Sequence, residues 1–197
     1  TPPEVHAITE AFEQTLAPYA AGVNVLAPPG AAADRSRRTQ ISAAIQRHEG
    51  LCSLLDHPAV VGLIGGIIGS DFNYTGACLL SRTHWPSGAP PQRLLLARVA
   101  GGTPGGDGNF YVGDTGWHPD GGWGELFAVK LAVYLDDLTA DTGCLRVISG
   151  SHRPEHPVRT GAVRPNEPGL GVAPKDCPGM LALETSPGDL VLFNHDL

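Results

Sequence analysis

The chain has 197 residues, of which 42% are hydrophobic, enough for one domain with a sizeable core, so intrinsic disorder is excluded. Its 26 glycines and 18 prolines imply many turns and argue against a bundle of long helices. A formal charge of -7 repels phosphate backbones and disfavours nucleic acid as a partner.

Residues 3–17 carry Val5, Ile8, Phe12 and Leu16 at spacings of three and four, which predicts an amphipathic helix. Residues 19–33 are rich in Ala, Gly and Pro and read as a loop. Asp34 then suits the N-cap of a second helix, with Ile41, Ile45 and Leu51 on its buried side. The cluster Arg35, Arg37 and Arg38 reads as a solvated turn of it. A third helix is predicted over 59–68, ending at Gly69. The apolar stretch 57–70 is broken by Pro58 and several glycines and falls short of the ~20 residues that span a bilayer. No signal-peptide pattern precedes it, so a soluble cytoplasmic protein with no membrane partner is expected. Cys52, Cys78, Cys144 and Cys177 are too scattered for a zinc knuckle or a disulfide framework.

From Phe72 onward the pattern changes to short β-like runs between turn residues. Strands are predicted over 72–75, 109–112, 126–135, 144–148, 180–183 and 189–193. A helical preface followed by many short strands suggests a sandwich or barrel with helices packed outside it. The segment 76–105, with Pro86, Pro90, Pro91 and Pro104, is long for a loop. It reads as a surface excursion with one extra strand around 94–99.

Residues 113–123 (GDTGWHPDGGW) hold the most informative chemistry. His118 and Asp120 are two apart, so an extended strand projects both to one face. With a second, remote histidine they would complete a two-histidine, one-carboxylate triad, the arrangement that leaves open positions on Fe(II). His-x-Asp alone is a weak signal; a surface histidine beside a turn aspartate is the plain alternative. Trp117 and Trp123 flank the pair as pocket walls or as packing.

Several longer runs occur in order: DGNFYVGDTGWHPD at 107–120, VKLAVYLD at 129–136, DTGCLRVISGSH at 141–152 and PGDLVLF at 187–193. Together they make the chain resemble the phytanoyl-CoA dioxygenase family of Fe(II)- and 2-oxoglutarate-dependent oxygenases, over most of 107–197. The resemblance implies a mainly β fold with N-terminal helices, a double-stranded β-helix (a jelly-roll, cupin-like barrel) with the metal at its mouth. It implies His118 and Asp120 as iron ligands, 2-oxoglutarate and O2 as cosubstrates, and hydroxylation of a small organic substrate with decarboxylation of 2-oxoglutarate to succinate. Related halogenases carry a small residue at the carboxylate position, so Asp120 implies an oxygenase outcome. Asn109 and Tyr111 lie where the family often places polar contacts to 2-oxoglutarate, with cross-strand packing as the alternative. Lys130, Ala132 and Tyr134 share one face of their strand, opposite Val129, Leu131, Val133 and Leu135. Lys130 is thus either a carboxylate partner in the barrel mouth or an edge-exposed lysine.

In the family the distal ligand histidine and the arginine that grips 2-oxoglutarate follow the Gly-Asp-Leu-Val-Leu-Phe strand. On that pattern both are expected just beyond Leu197, and His195 is a poor substitute, ~13 Å away along a strand. The organisation expected is one oxygenase domain over 1–197: helical 1–70, an insertion over 76–105 and a C-terminally incomplete barrel core over 107–197. The insertion and the abrupt end also fit a fragment or an imperfect gene model. Two other classes stay open, a non-catalytic barrel lacking the distal histidine and arginine, and a zinc hydrolase using the same ligands. Neither substrate identity nor oligomeric state is legible.

Overall fold

A computed structural model of the chain describes residues 1–19, 39–82, 92–99, 117, 128–140, 144–163, 179–194 and 197. The first helix, α1 (Pro2–Leu16), opens on two prolines, which the first turn tolerates because its N–H groups have no helical acceptor. Its apolar stripe buries Ala11 and Phe12 completely, as the three-and-four spacing requires.

The helix predicted from Asp34 does not form over the described part of its range. In its place stand a strand, β1 (Thr39–Ser42), a 3-10 turn over Ala44–Arg47 and a single helical turn, α2 (Glu49–Cys52). Ile41, Ile45 and Leu51 are nevertheless all buried. Three short elements deliver the apolar residues to the core that one helix was expected to deliver. The β-branched Thr39 and Ile41 alternate with Gln40 and Ser42, and a neighbouring strand to pair with outweighs a modest helical period. The break falls at Ala43, whose φ of 54° is left-handed and interrupts any regular helix.

Helix α3 (Pro58–Ile68) matches the sequence expectation closely. The ring nitrogen Nδ1 of His57 accepts from the Ala59 N–H at 3.3 Å, Pro58 fills the first helical position, and Gly69 ends the helix with a φ of 86°.

Five strands make one antiparallel sheet in the order β1, β2 (Tyr74–Arg82), β3 (Gln92–Val99), β4 (Val129–Tyr134), β7 (Leu190–Asn194). The strand predicted over 72–75 therefore begins at Tyr74 and runs seven residues further. β3, expected as a surface excursion, is the middle strand, hydrogen-bonded to β2 on one side and β4 on the other. Its aliphatic run, Leu94-Leu95-Leu96-Ala97, suits an interior position in a sheet. A second, two-stranded sheet pairs β5 (Leu145–Ile148) with β6 (Met180–Leu183). The strand predicted over 109–112 lies outside the described residues.

The layers follow from the alternation in β4. Val133 and Leu135 join Phe12, Ile41, Ile45 and Leu51 in one cluster beneath α1, while Val129 and Leu131 pack against Val60 and Ile64 of α3. Burial of each of these side chains contributes about 1.5–3 kcal/mol. The opposite face of β4 puts Ala132 and Tyr134 against Leu138 and Cys144, with Ala182 and Phe193 alongside. Helices thus cover one face of the main sheet and the small sheet covers the other. The two sheets are tied where Leu138 and Thr185 exchange backbone hydrogen bonds of 2.8 and 3.0 Å. Among the described residues no helix is long and apolar enough to cross a membrane.

Candidate functional site

The inner face of the main sheet, turned away from the helices, is where β4 places Lys130. β4 lies between β3 and β7, so this lysine is not at an edge, and only 8% of its surface is exposed. The edge-exposed alternative of the sequence analysis therefore does not hold. A charged group is rarely this enclosed without something to compensate it.

Register fixes the neighbours of Lys130. Arg98 of β3 occupies the paired position on one side and Phe193 of β7 the paired position on the other. Further along the same face, Tyr134 and Cys144 meet in the apolar cluster between the sheets. Burial pushes the Tyr134 phenol above its ordinary range, with the nearby Cys144 adding to the shift. Burial likewise raises the Cys144 thiol, Glu184 pushing the same way and Arg146 opposing both. Cys144 is thus an unreactive, protonated thiol at neutral pH.

Of the residues singled out from sequence, His118, Asp120, Asn109, Tyr111, Trp123 and His195 lie outside the described residues. Trp117, next to His118, is half-buried. His152 sits in the turn after β5. Its carbonyl accepts from Arg159 Nη1 at 3.2 Å, and its buried Nδ1 has no hydrogen-bond partner among the described residues. Among the described residues no three His, Cys, Asp or Glu side chains come together as a metal site.

Two inner polar groups escaped sequence reading. Gln40 on β1 is 6% exposed, with its Oε1 buried and without a hydrogen-bond partner among the described residues. Arg146 is half-buried on β5 and donates from Nη2 to the Ala140 carbonyl at 2.6 Å. Only the strand pairing of Gln40, which the sequence analysis placed in a helix, could have revealed its face.

A helix-backed antiparallel sheet with a second small sheet over its inner face is an arrangement many proteins share, and the comparison that separates them is one of sequence families. The family model for phytanoyl-CoA dioxygenase (PhyH) matches residues 1–197, the whole chain. The chain belongs to the phytanoyl-CoA dioxygenase family. No curated protein and no solved structure gives a significant match. The phytanoyl-CoA dioxygenase family has a cupin-like fold, and its members are generally oxygenases dependent on Fe(II) and 2-oxoglutarate.

The residues present suit those two groups. The donor set of His118 and Asp120, one imidazole and one carboxylate, is the kind that binds non-haem iron. Lys130, 8% exposed on the inner sheet face, carries a charge of the sign that complements a carboxylate.

Proposed function

We propose that this protein is an Fe(II)- and 2-oxoglutarate-dependent dioxygenase built on a double-stranded β-helix, hydroxylating a C–H bond of a small organic molecule. The balanced reaction takes 2-oxoglutarate, O2 and R–H to succinate, CO2 and R–OH. The observation that carries this reading is the match to the family over the full chain; the enclosed Lys130 on the inner sheet face supports it independently.

In this reading His118 and Asp120 hold the iron, which supplies the oxygen chemistry when bound. Asn109 and Tyr111, which precede the metal pair in sequence, contact the 2-oxoglutarate. Lys130 fixes a carboxylate through a charge-assisted hydrogen bond, strong in so enclosed a setting. The apolar cluster of Ala132, Tyr134, Leu138 and Cys144 keeps bulk water from the far end of the inner face. A positioned, dry site limits decarboxylation that is not coupled to substrate.

The test is direct. The protein is loaded with Fe(II) under anaerobic conditions, given 2-oxoglutarate and exposed to O2. Succinate must then form in an iron- and oxygen-dependent manner, faster with a true substrate than without. If no panel of acyl thioesters, amino-acid derivatives and secondary metabolites raises succinate above the metal-free control, the proposal is wrong.

A further inference from the structure

Three of the described histidines use their rings alike. Nδ1 of His48, His57 and His156 each accepts the backbone N–H two residues further on, from Gly50 at 3.0 Å, Ala59 at 3.3 Å and Val158 at 3.2 Å. His152 also lies in a turn, but the residue two further on is Pro154, which has no N–H to give. The Nδ1 of His152 is buried and has no hydrogen-bond partner among the described residues. The proline thus withholds the local donor that the other three rings receive. A buried polar atom left unpaired is costly, and a ligand that brings the donor recovers that cost.

The backbone that presents this ring is fixed. Ser151, 5% exposed, donates its N–H to the Ile148 carbonyl at 3.1 Å, and Arg153 donates to that of Gly150 at 3.0 Å. The His152 carbonyl accepts from Arg159 Nη1 at 3.2 Å. The following turn closes on itself, with the N–H groups of Arg159 and Thr160 both donating to the His156 carbonyl. Its place in the fold follows from the bridge between Leu138 and Thr185. That bridge comes after β4 and β6 and before β5 and β7, so it joins the two sheets at one end. His152 follows β5 at the opposite end, the end at which the chain enters β4 shortly after Asp120. Between the sheets, Ala132, Val191 and Phe193 make the inner face of β4 and β7 largely apolar.

We propose that His152 is a substrate-binding residue whose Nδ1 accepts a hydrogen bond from a neutral hydroxyl or amide N–H on an otherwise apolar molecule. This rests on the oxygenase reading only for calling that ligand a substrate. In the other three rings an accepting Nδ1 leaves the proton of the neutral imidazole on Nε2, and the same form of His152 pairs at Nδ1 only with a donor. Arg153 and Arg159 in the same segment disfavour an ammonium as that donor.

The test reads equilibrium binding to the full chain by calorimetry, without turnover. The probes are hexanamide and hexanol, their donor-free counterparts N,N-dimethylhexanamide and methoxypentane, and hexanoate. His152→Phe keeps a ring without the nitrogen, and His152→Asn places an amide oxygen about where Nδ1 stands. Pro154→Ala returns an N–H that competes for Nδ1. The parent is expected to prefer each donor probe to its counterpart by about tenfold. His152→Phe removes that preference, His152→Asn keeps most of it, and Pro154→Ala reduces it although the imidazole is intact. A ring that only packs would not respond to Pro154→Ala. A parent without the preference, or a folded His152→Phe variant that retains it, overturns the proposal. So does a preference for hexanoate that His152→Phe abolishes, since the ring would then serve an anion. Should His152→Phe fail to fold, Pro154→Ala decides, because Pro154 is exposed, and an unaltered preference there overturns the proposal. Donor binding through His152 in a protein that never forms succinate would sink the oxygenase reading alone. Succinate formed by a protein with no donor preference would sink the role of His152 alone.

Discussion

Gly188 and Val5 meet where α1 passes the turn into β7. A Cβ on Gly188 would stand 2.6 Å from Val5 Cγ2, and the glycine holds a φ of 95° while its N–H donates to the Tyr134 carbonyl at 2.7 Å. One residue thus satisfies a left-handed turn, a close helix crossing and a hydrogen bond to the end of β4. This accounts physically for the glycine of the Pro-Gly-Asp motif at 187–189.

Gly188→Ala is therefore expected to destabilise the fold by roughly 2–4 kcal/mol, from the strained φ together with the overlap. Adding Val5→Ala should restore the steric part and leave about 1–2 kcal/mol from the backbone. Denaturant midpoints of the two single variants and the double variant measure this. Purely additive losses would show that the two residues do not meet.

Phe12 is fully buried between α1 and the strands that carry Ile41 and Val133. Phe12→Ala should cost about 3–5 kcal/mol, the usual sum of lost transfer energy and a residual cavity. The midpoint of chemical unfolding is the measurement, and a loss below 1 kcal/mol would mean that α1 is not docked on the sheet.

Alkaline stability depends on Tyr134 and Cys144. In the folded protein both groups titrate above the ordinary range of a phenol and a thiol, chiefly because of burial. The unfolded chain thus releases these protons first, so their contribution is complete below pH 9 and is lost as pH rises through the folded values. Unfolding free energy should be flat from neutrality to about pH 8.5 and fall above pH 9. Tyr134→Phe and Cys144→Ala should each flatten that fall, as read from denaturant midpoints across the pH range.

His118→Ala and Asp120→Ala should each reduce iron-dependent succinate formation more than about 100-fold, since even residues one shell out from a metal cost 10–100-fold. Far-ultraviolet circular dichroism should be unchanged in both. Activity retained by either variant would remove it from the metal site.

Much of this was legible in the sequence because local chemistry dictated it. The span of α3 follows from Pro58 at its start and Gly69 at its end, and the two faces of β4 follow from a strict alternation. The short run 39–42 reads as helix from sequence because Ile41 and Ile45 stand four apart, a helical spacing. Only pairing with β2 decides in favour of a strand, and that partner lies nearly forty residues away. The enclosure of Lys130 was visible as one of two alternatives, whereas its register with Arg98 was not, because pairing between distant strands leaves no mark on either. The proposed iron ligands were named from sequence alone and lie outside the described residues.

The central place of β3 has a consequence for the gene. A deletion or splicing event that removed codons 92–99 would not trim a surface decoration. It would strip β2 and β4 of a shared partner and leave each with a raw row of amide and carbonyl groups, an invitation to intermolecular strand pairing. The product of such an event would be cleared by proteases or lost to aggregates rather than persist as a shorter enzyme.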